Sequence, residues 1–352
     1  MTIKGKYNEA KIFTDEIENE AKNQVEAVLN EPWSKGLKIR VMPDVHVGYG
    51  VPIGYTQTIT DTVIPNFVGV DIGCGMLVTK ISNKRDLHIN YKVLDDFIRR
   101  EIPSGFNVYS KRQDSTVVIE DIIAKVNIDR AYKSVGTLGG GNHFIEINES
   151  ENGLYLVIHS GSRHLGTQVA NYWTKAMKNE PYLKGEKFDN YLHDMQITQK
   201  FASLNRKRMR DKIVAKMNFT IVDEFESIHN YLDIKNKILR KGATSALKGE
   251  RLFIPINMRD GSLIASGKGN PDWNYSAPHG AGRVMSRKKA KQFLSLDKFK
   301  RVMKSIWTTS VSKATLDEAP FVYKSIEEII KHTKDTITIL EHLKVLYNFK
   351  SP

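Results

Sequence analysis

Cysteine is almost absent from this chain, since Cys74 is the only cysteine among 352 residues. A single cysteine excludes any intrachain disulfide and is typical of proteins in a reducing compartment. The sequence also lacks an apolar run long enough to cross a bilayer. Its first residues, MTIKGKYNEAK, lack the apolar stretch of a secretory signal. Together these absences predict a cytoplasmic protein with no membrane partner.

Linkers and repeats are absent as well. No proline-, glycine- or serine-rich segment divides the sequence, so we expect residues 1–352 to form a single domain. Helical and alternating hydrophobic periods occur together, which predicts an α+β fold. Strands are expected at 37–42, 76–81, 154–160, 235–240, 252–256, 262–266 and 343–350. Helices are expected at 8–30, 165–179, 189–233, 284–295, 297–307 and 324–333.

Positive charge exceeds negative charge: 53 Lys and Arg residues against 40 Asp and Glu residues give a net charge of +13. A basic surface attracts polyanions such as nucleic acids. Many basic proteins bind no nucleic acid, so the charge alone is a weak indication. The basic segment NRKRMRDKIVAKMNF (205–219) could face a nucleic-acid backbone through Arg206, Arg210 and Lys212, or form a solvated helix face.

Glycines and histidines gather in five short stretches where predicted strands end. Functional groups often lie on loops that a rigid scaffold holds. We therefore expect these stretches to meet at one site. They are residues 43–54, 69–75, 136–143, 159–166 and 279–282.

The one thiol lies in the stretch GVDIGCGM, between two glycines and three residues after Asp71. A structural cysteine normally lies among aliphatic side chains, so this setting favours an accessible thiol. Thiolate, imidazole and carboxylate together suit a transition metal. The candidate ligands are Asp71, Cys74, His143, His159 and His229. The alternative is that each histidine is a hydrogen-bonded loop or core residue, which is our interpretation of His88, His193, His332 and His342.

Three glycine-rich stretches have features of phosphate-binding loops. GTLGGGNHF (136–144) can present successive backbone N–H groups to an anion, although it lacks the lysine and hydroxyl of a P-loop. HSGSRHLG (159–166) adds Arg163, and HGAGRVMSR (279–287) adds Arg283 and Arg287. Guanidinium groups suit phosphate oxygens. The alternative for each glycine run is a plain tight turn.

His279 precedes glycine and alanine, so its ring is approachable. An exposed imidazole beside phosphate-binding arginines can act as a nucleophile towards phosphorus. It can equally be a metal ligand or a phosphate contact, and the residues alone do not separate these three roles.

Taken together, the motifs resemble one family. MPDVHVGYGVPIG, GVDIGCG, GTLGGGNHFIEI, IHSGSR, RKGAT and HGAGRVMSR, followed by DEAPFVYKSI and LKVLYNFK, resemble in order the RtcB family of RNA-splicing ligases. The resemblance implies an α+β domain with mixed sheets around a central metal and nucleotide cleft. It also implies an RNA-binding enzyme of RNA repair or tRNA splicing that uses GTP and two manganese ions. Such a ligase joins an RNA 3′-phosphate, or a 2′,3′-cyclic phosphate after opening, to a 5′-hydroxyl through a GMP–histidine intermediate.

The resemblance further implies individual roles. His279 would carry GMP, and Asp44 would orient its ring. Asp71, Cys74 and His143 would hold one manganese ion, and Cys74, His159 and His229 the second. The nucleotide pocket would be formed by Asn142, Phe144, Glu146, Asn257, Ser262, Ala281, Gly282, Tyr323 and Lys350, with Glu146 accepting hydrogen bonds from guanine. RNA or phosphate contacts would come from Arg163, Lys241, Arg283 and Arg287.

One motif departs from the family pattern. Where the family commonly has PGSMGT, this chain has PINMRDG (255–261), so Asn257 replaces a serine that helps to bind guanine. Asparagine still donates and accepts hydrogen bonds, so GTP remains the expected nucleotide.

Two other functions stay open. One is a metal-dependent phosphoesterase that acts on RNA ends without ligation, and the other is a non-catalytic RNA-binding protein. The sequence does not indicate which RNA is the substrate, or whether an activating protein partner is required.

Overall fold

The computed structural model describes residues 1–85 and 87–351 and confirms the expected α+β class. Its strands are β1 (Thr2–Lys4), β2 (Glu9–Ile12), β3 (Ile39–His46), β4 (Ile53–Thr58), β5 (Thr62–Val63), β6 (Gly75–Ser82), β7 (Phe144–Ser150), β8 (Gly153–Ser160), β9 (Leu183–Lys184), β10 (Asp223–Ile228), β11 (Asn230–Asp233), β12 (Ile238–Lys241), β13 (Ala243–Ser245), β14 (Arg251–Asn257), β15 (Gly261–Gly267), β16 (Ser276–Pro278) and β17 (Ile337–Phe349). Its α-helices are α1 (Asn19–Leu29), α2 (Tyr91–Glu101), α3 (Ile128–Lys133), α4 (Arg163–Ala176), α5 (Glu186–Met217), α6 (Arg287–Phe293), α7 (Leu296–Val302) and α8 (Ile326–Thr333). Short 3₁₀ helices cover Pro32–Ser34, Pro65–Phe67, Ile119–Asp121, Pro271–Trp273, Leu316–Glu318 and Pro320–Val322.

A seven-stranded sheet has the order β10-β6-β8-β7-β17-β15-β14, and every neighbouring pair is antiparallel. Strands β6 and β7 therefore begin at the same edge of the sheet where β8 and β10 end. The outermost strands also approach each other, because the Phe253 amide on β14 donates a hydrogen bond of 3.2 Å to the Ser227 hydroxyl on β10. The sheet is thus strongly curved. The ends of β6, β7, β8 and β10 lie along one of its edges, which we call the rim.

A six-stranded sheet has the order β1-β2-β3-β4-β12-β11 and carries Asp44 on β3. A small two-stranded sheet pairs β13 with β16, and His279 follows β16 directly. The two larger sheets therefore deliver different groups of candidate residues to the region between them.

Helix α5, with 32 residues, joins the two main cores. Phe201 packs into the core beside the six-stranded sheet, and Met209 and Ile213 pack into the core beside the seven-stranded sheet. The apolar residues that face two cores are spread around the helix, which accounts for its weak amphipathic pattern. None of the described helices is both long and apolar enough to span a membrane.

Two helix predictions were wrong in part. Residues 8–30 were expected to be helical, but Ala10 and Ile12 belong to β2, which pairs in parallel with β3, and the helix begins only at Asn19. The helix expected over 189–233 ends at Met217, because Asn218 adopts a left-handed conformation with φ of 53° and caps it. Strands β10 and β11 occupy the remainder, where the alternating period was overlooked.

Candidate active site

The five candidate metal ligands lie at the rim of the seven-stranded sheet. Cys74 immediately precedes β6, His143 immediately precedes β7, His159 lies near the end of β8, and His229 immediately follows β10. The register places Met76 and Phe144 on either side of His159. Asp71 lies in the turn before Cys74, whose amide donates to the Asp71 carbonyl at 3.2 Å. Strand order therefore brings together residues that are far apart in sequence.

The side chains converge on the sulfur. Cys74 Sγ lies 3.2 Å from His159 Nε2 and 3.5 Å from His143 Nε2. Asp71 Oδ2 lies 2.9 Å from His143 Nε2. The His229 ring contacts the His159 ring edge-on, with 5.1 Å between the ring centroids. Cys74, His143 and His159 are all buried and form a group with metal-ligand spacing.

Hydrogen bonds engage the Nδ1 atoms of His143 and His159 and leave their Nε2 atoms available to a metal. His143 Nδ1 donates to the Leu138 carbonyl at 2.9 Å, and His159 Nδ1 donates to the Asn142 carbonyl at 3.1 Å. A neutral ring that donates from Nδ1 has a lone pair on Nε2, which here faces the sulfur or a carboxylate. Burial, together with nearby positive groups, lowers the pKa of His159 well below its usual value, and the same holds for His229. The donor set therefore fits a transition metal.

Further features of the cluster agree with a bound cation. The Nδ1 atom of His229 is buried without a hydrogen-bond partner among the described residues. Burial, followed by the negative charge of Asp71, raises the pKa of the Cys74 thiol well above its ordinary value. A thiolate at this position therefore requires a compensating positive charge, which a coordinated metal supplies.

Two glycines make the close approach of these ligands possible. A Cβ atom on Gly161 would lie 2.1 Å from Asp71 Oδ1. A Cβ atom on Gly139 would lie 1.7 Å from the Arg163 guanidinium and 2.7 Å from His143 Nδ1, and the φ of Gly139 is +90°. The stretch 136–143 is therefore more than a plain turn, because a side chain at Gly139 would displace a candidate ligand.

The partly exposed His279 and the buried Asp44 form a pair beside the cluster. The Nδ1 atom of His279 lies 2.6 Å from Asp44 Oδ2, and the His279 amide donates to the same oxygen at 3.1 Å. The His279 ring centroid lies 4.8 Å from that of His229. A carboxylate that accepts from Nδ1–H fixes the tautomer with a bare Nε2, so the pair suits a nucleophilic imidazole.

A cavity, which we call the Glu146 cavity, opens beside His279. Its lining contains eight of the nine residues expected in a nucleotide pocket, all except Ser262. The residues that line the cavity include His46, Asn142, Phe144, Glu146, His159, Asn257, His279, Ala281, Gly282, Arg283, Arg287, Glu318, Tyr323 and Lys350. Because His159 and His279 line it too, the cavity adjoins both the cluster and the Asp44–His279 pair.

Ser262 and Lys241 lie elsewhere. Ser262 is buried on β15 opposite Pro255, and its hydroxyl has no hydrogen-bond partner among the described residues. The Lys241 ammonium donates to the carbonyls of Tyr49 and Asn66, the latter at 3.2 Å. Burial lowers the pKa of Lys241 to about 8. Lys241 therefore fixes the loop that follows β3 and does not face the Glu146 cavity.

Glu146 is a buried carboxylate. It accepts hydrogen bonds from the amides of Asn348 at 2.6 Å and Asn148 at 3.3 Å. Burial raises the pKa of Glu146 to about 7. The Lys350 ammonium lies 5.3 Å from the centre of the Phe144 ring. One end of the cavity thus offers a carboxylate, an aromatic face and a cation.

Asn257 lines the cavity, but its polar atoms are already engaged in a turn. Its side-chain oxygen accepts from the amides of Arg259 and Asp260 at 3.0 and 2.9 Å, and its side-chain nitrogen donates to the Asp260 carboxylate at 2.8 Å. This asparagine therefore shapes the cavity wall through its turn.

Two lining residues were missed by sequence reasoning. Glu318 accepts from Lys350 at 2.8 Å, from Tyr323 at 2.7 Å and from Arg287 at 2.6 Å. Burial would raise the pKa of Glu318, but the neighbouring cations lower it to about 2. His46 lines the cavity too, and burial lowers the pKa of His46 to about 4. Both residues lie within quoted motifs, DEAPFVYKSI and MPDVHVGYGVPIG, which was the available signal.

Arg206 corrects the interpretation of the basic segment 205–219. Its side chain is fully buried and donates to the carbonyls of Gly73 and Ser160 at 2.8 and 2.7 Å. Arg210 pairs with Glu224, and Lys212 donates to the Tyr109 hydroxyl at 2.9 Å. Arg206 therefore faces neither solvent nor a polyanion, and it ties helix α5 to the turn before Cys74 and to the end of β8 beside His159.

Two more spaces meet at the cluster. The Cys74 cleft, of about 870 Å³, is lined by Asp71, Cys74, His229, His279, Arg283 and Lys289 among others. The Phe106 cavity, of about 380 Å³, is lined by Phe106, Arg130, Arg163 and His164 among others, and it reaches the cluster at Asp71. Arg163 thus faces a different space from Arg283 and Arg287.

This arrangement defines a protein with a buried cysteine–histidine group of metal-ligand spacing beside a carboxylate-supported histidine and a cavity of about 120 Å³. The chain belongs to the RtcB family: the family described as "tRNA-splicing ligase RtcB" matches residues 24–126 and 111–351.

Individual proteins that are similar to this chain also carry the RtcB name. The RNA-splicing ligase RtcB of Escherichia coli K12 is 32% identical over 362 aligned positions, which cover 87% of this chain and 88% of that protein. The tRNA-splicing ligase RtcB of Aeropyrum pernix is 27% identical and covers 82% of each chain. The RNA-splicing ligase RtcB2 of Escherichia coli ATCC 25922 is 26% identical, over 90% of this chain and 87% of that protein.

Proposed function

We propose that this protein is an RNA ligase of RNA repair or tRNA splicing. It joins an RNA 3′-phosphate, or a 2′,3′-cyclic phosphate after hydrolytic opening, to a 5′-hydroxyl at the expense of GTP. The observation that carries the proposal is the position of His279, which Asp44 holds at 2.6 Å between the metal cluster and the Glu146 cavity. A binding protein would have no need of a tautomer-fixed imidazole at that junction.

Two manganese ions are assigned to the cluster. Asp71, Cys74 and His143 would hold one ion, and Cys74, His159 and His229 the other, with the sulfur shared. The bare Nε2 atoms that face the sulfur and the unpartnered ring nitrogen of His229 support this assignment. When bound, the ions supply positive charge that offsets the charge developing on phosphate oxygens.

GTP is assigned to the Glu146 cavity. The ionised Glu146 carboxylate accepts from the N–H groups of guanine, and adenine lacks this donor pattern. Phe144 and Tyr323 offer aromatic faces beside the base, and Lys350 adds a cation. Asn142, Ala281, Gly282 and the turn begun by Asn257 complete the lining, while Ser262 supports the wall from behind β14.

The chemistry follows in three displacements. His279 Nε2 attacks the α-phosphorus of GTP, an N–P bond forms, and pyrophosphate leaves, while Asp44 retains the hydrogen bond from Nδ1–H. An oxygen of the RNA 3′-phosphate then attacks the same phosphorus and releases the imidazole. Finally the 5′-hydroxyl attacks the activated 3′-phosphate, its proton is lost, and GMP departs. Arg283 and Arg287, which line the Glu146 cavity and the Cys74 cleft, are suited to hold the phosphates.

Arg163 and Lys241 receive different assignments. Arg163 faces the Phe106 cavity and is suited to contact RNA phosphate there. Lys241 positions the loop after β3 through the Tyr49 and Asn66 carbonyls, and we assign it no direct phosphate contact.

The proposal is tested by covalent labelling. The protein is incubated with manganese and GTP that carries ³²P at the α position, and acid-labile, alkali-stable label on the protein is measured. We expect label on the wild type, none on His279→Ala, and normal label on His342→Ala, which alters an exposed histidine outside the three spaces. Equal labelling of wild type and His279→Ala would refute the mechanism.

The phosphoesterase alternative is not favoured, since the matched relatives are named as ligases. It predicts removal of RNA end phosphates without GTP and no effect of Glu146→Gln. Comparing ATP, CTP and UTP with GTP in the labelling experiment would report the base preference at the same time.

A further inference from the structure

The Phe106 cavity is a second opening onto the cluster. Its volume of about 380 Å³ lies within the range of small-ligand sites. It meets the proposed metal site only at Asp71, whereas the Glu146 cavity meets that site at His159. A ligand in the Phe106 cavity therefore approaches the cluster from the side away from the proposed nucleotide.

The charge of this cavity suits an anion. Arg130, Arg163 and His164 line it against one carboxylate, Asp71, and that carboxylate is assigned to a metal ion. Neither arginine forms an ion pair within 4.0 Å with a carboxylate of the described residues. Each donates instead to a backbone carbonyl: Arg163 to Gly105 at 2.6 Å and Arg130 to Phe106 at 2.9 Å. Asp71, which interacts with Arg163, is the only carboxylate in the described lining, so positive charge exceeds negative charge there and favours a phosphate.

Phe106 adds an aromatic face to the same cavity. Its side chain is 93% exposed, although it is a large apolar group. Its backbone is nevertheless fixed, because the Gly105 amide donates to the Gly139 carbonyl at 3.0 Å and both arginines bind adjacent carbonyls. The Phe106 ring is therefore exposed to solvent, while its backbone is fixed against the glycine-rich stretch that precedes His143.

Apart from its two arginines, the cavity offers only Ser134, His164 and Thr167 as side chains that could hydrogen-bond to a base edge. Its described lining contains no amide side chain and no carboxylate except Asp71. The Glu146 cavity, in contrast, offers a carboxylate to a base. An aromatic face beside cations is the usual platform for single-stranded nucleic acid of any sequence, because every base has a face that stacks.

We propose that the Phe106 cavity binds the end of one RNA strand, with its backbone phosphate on Arg130 and Arg163 and the terminal base stacked on Phe106. The proposal rests on the function proposed above and adds the binding site of one substrate end. It implies that this end is recognised without regard to base identity. The two ends that must be joined would then reach the cluster by separate routes, one through this cavity and one through the Cys74 cleft.

The test measures RNA binding in the absence of GTP, so it does not depend on nucleotide transfer. Two short fluorescent single-stranded RNAs are used as probes, one with a 3′-phosphate and a blocked 5′ end, the other with a 5′-hydroxyl and a blocked 3′ end. We expect Phe106→Ala to weaken binding of one probe about tenfold, and Phe106→Trp to restore it. Arg130→Ala should weaken the same probe and reduce the salt dependence of binding. The affected probe identifies the strand.

Controls separate this inference from the ligase proposal and from misfolding. Leu340→Ala removes another exposed apolar side chain, lines none of the three spaces and should bind both probes normally. The Phe106 and Arg130 variants should keep wild-type labelling by GTP, while ligation slows at low RNA concentration. Wild-type affinity of Phe106→Ala for both probes, or a wild type that binds neither, would overturn the inference. Failed labelling of the wild type would instead count against the ligase proposal.

Discussion

Replacing Asp44 by asparagine should slow transfer of GMP to the protein without unfolding it. The substitution keeps the size of the side chain and removes its charge. In the wild type, one oxygen of Asp44 accepts from both the ring and the backbone N–H of His279, at 2.6 and 3.1 Å. The other oxygen is buried without a hydrogen-bond partner among the described residues.

The magnitude follows from the ring hydrogen bond. A hydrogen bond to a charged group contributes about 1.5–3 kcal/mol, against about 0.5–1.5 kcal/mol for a neutral one. The charge on the imidazole grows as its Nε2 atom bonds to phosphorus, so the difference affects the transition state most. A loss of about 1.4 kcal/mol slows the step about tenfold. If the new amide turns its NH₂ group towards His279, the opposite tautomer is favoured and the loss is larger.

The assay is single-turnover labelling with α-³²P GTP and manganese at saturating concentrations. We expect Asp44→Asn to label at least about tenfold more slowly, with a melting temperature close to that of the wild type, because no buried charge is left unpaired. Asp272→Asn is the matched control, since that carboxylate pairs on the surface with Lys11 and Arg40 and lies outside the site. Wild-type labelling by a folded Asp44→Asn protein would refute the role given to this carboxylate.

Three further predictions concern the cavity and the cluster. Because the pKa of Glu146 is raised by burial to about 7 and guanine needs the ionised form, calorimetric GTP affinity should rise with pH through about 7 and then level off, and Glu146→Gln should lose this dependence. Glu318→Gln leaves the buried Lys350 without its carboxylate, while Arg287 keeps Asp317, and should lower the free energy of unfolding in urea by about 3 kcal/mol, whereas the same change at the half-exposed Glu180 should cost less than about 1 kcal/mol; equal effects would contradict the buried ion-pair argument. Gly161→Ala would place a Cβ atom 2.1 Å from Asp71 Oδ1, so we expect manganese to raise the melting temperature of the wild type but not that of the variant, and an equal manganese response of both proteins would show that this contact relaxes.

Much of the candidate site could be predicted because its ligands lie where strands end. A continuous apolar run such as the LYLVI of LYLVIHS identifies the buried strand β8, and a histidine near its end then lies at the rim of a sheet. Glycine runs beside such residues indicate close approach of backbone and side chains, as Gly139 and Gly161 demonstrate. These signals are local, so a single sequence is enough to detect them.

Other features depend on contacts between distant segments and have no local signal. Glu318 gains its role because Arg287 and Lys350 fold against it from different parts of the chain. Arg206 lies in a basic stretch that looks solvated, yet it is buried in the core, where it pairs with Glu226 and donates to two backbone carbonyls more than 40 residues away. Periodicity also misjudged the start of the chain, where pairing with β3 makes a strand of a segment whose apolar spacing suits a helix equally well.

Different sheets contribute different residues to the candidate site, which explains why no local sequence pattern indicates the Asp44–His279 pair. The metal candidates all belong to the rim of the seven-stranded sheet, whereas Asp44 comes from the six-stranded sheet and His279 follows the small sheet of β13 and β16. The distance between the two groups is therefore set by how the sheets pack, and the 4.8 Å separation of the His229 and His279 rings measures it. Since interiors are close-packed and resist small shifts, substitutions in the core between the sheets should affect the alignment of His279 with the cluster more than the affinity of the cluster itself.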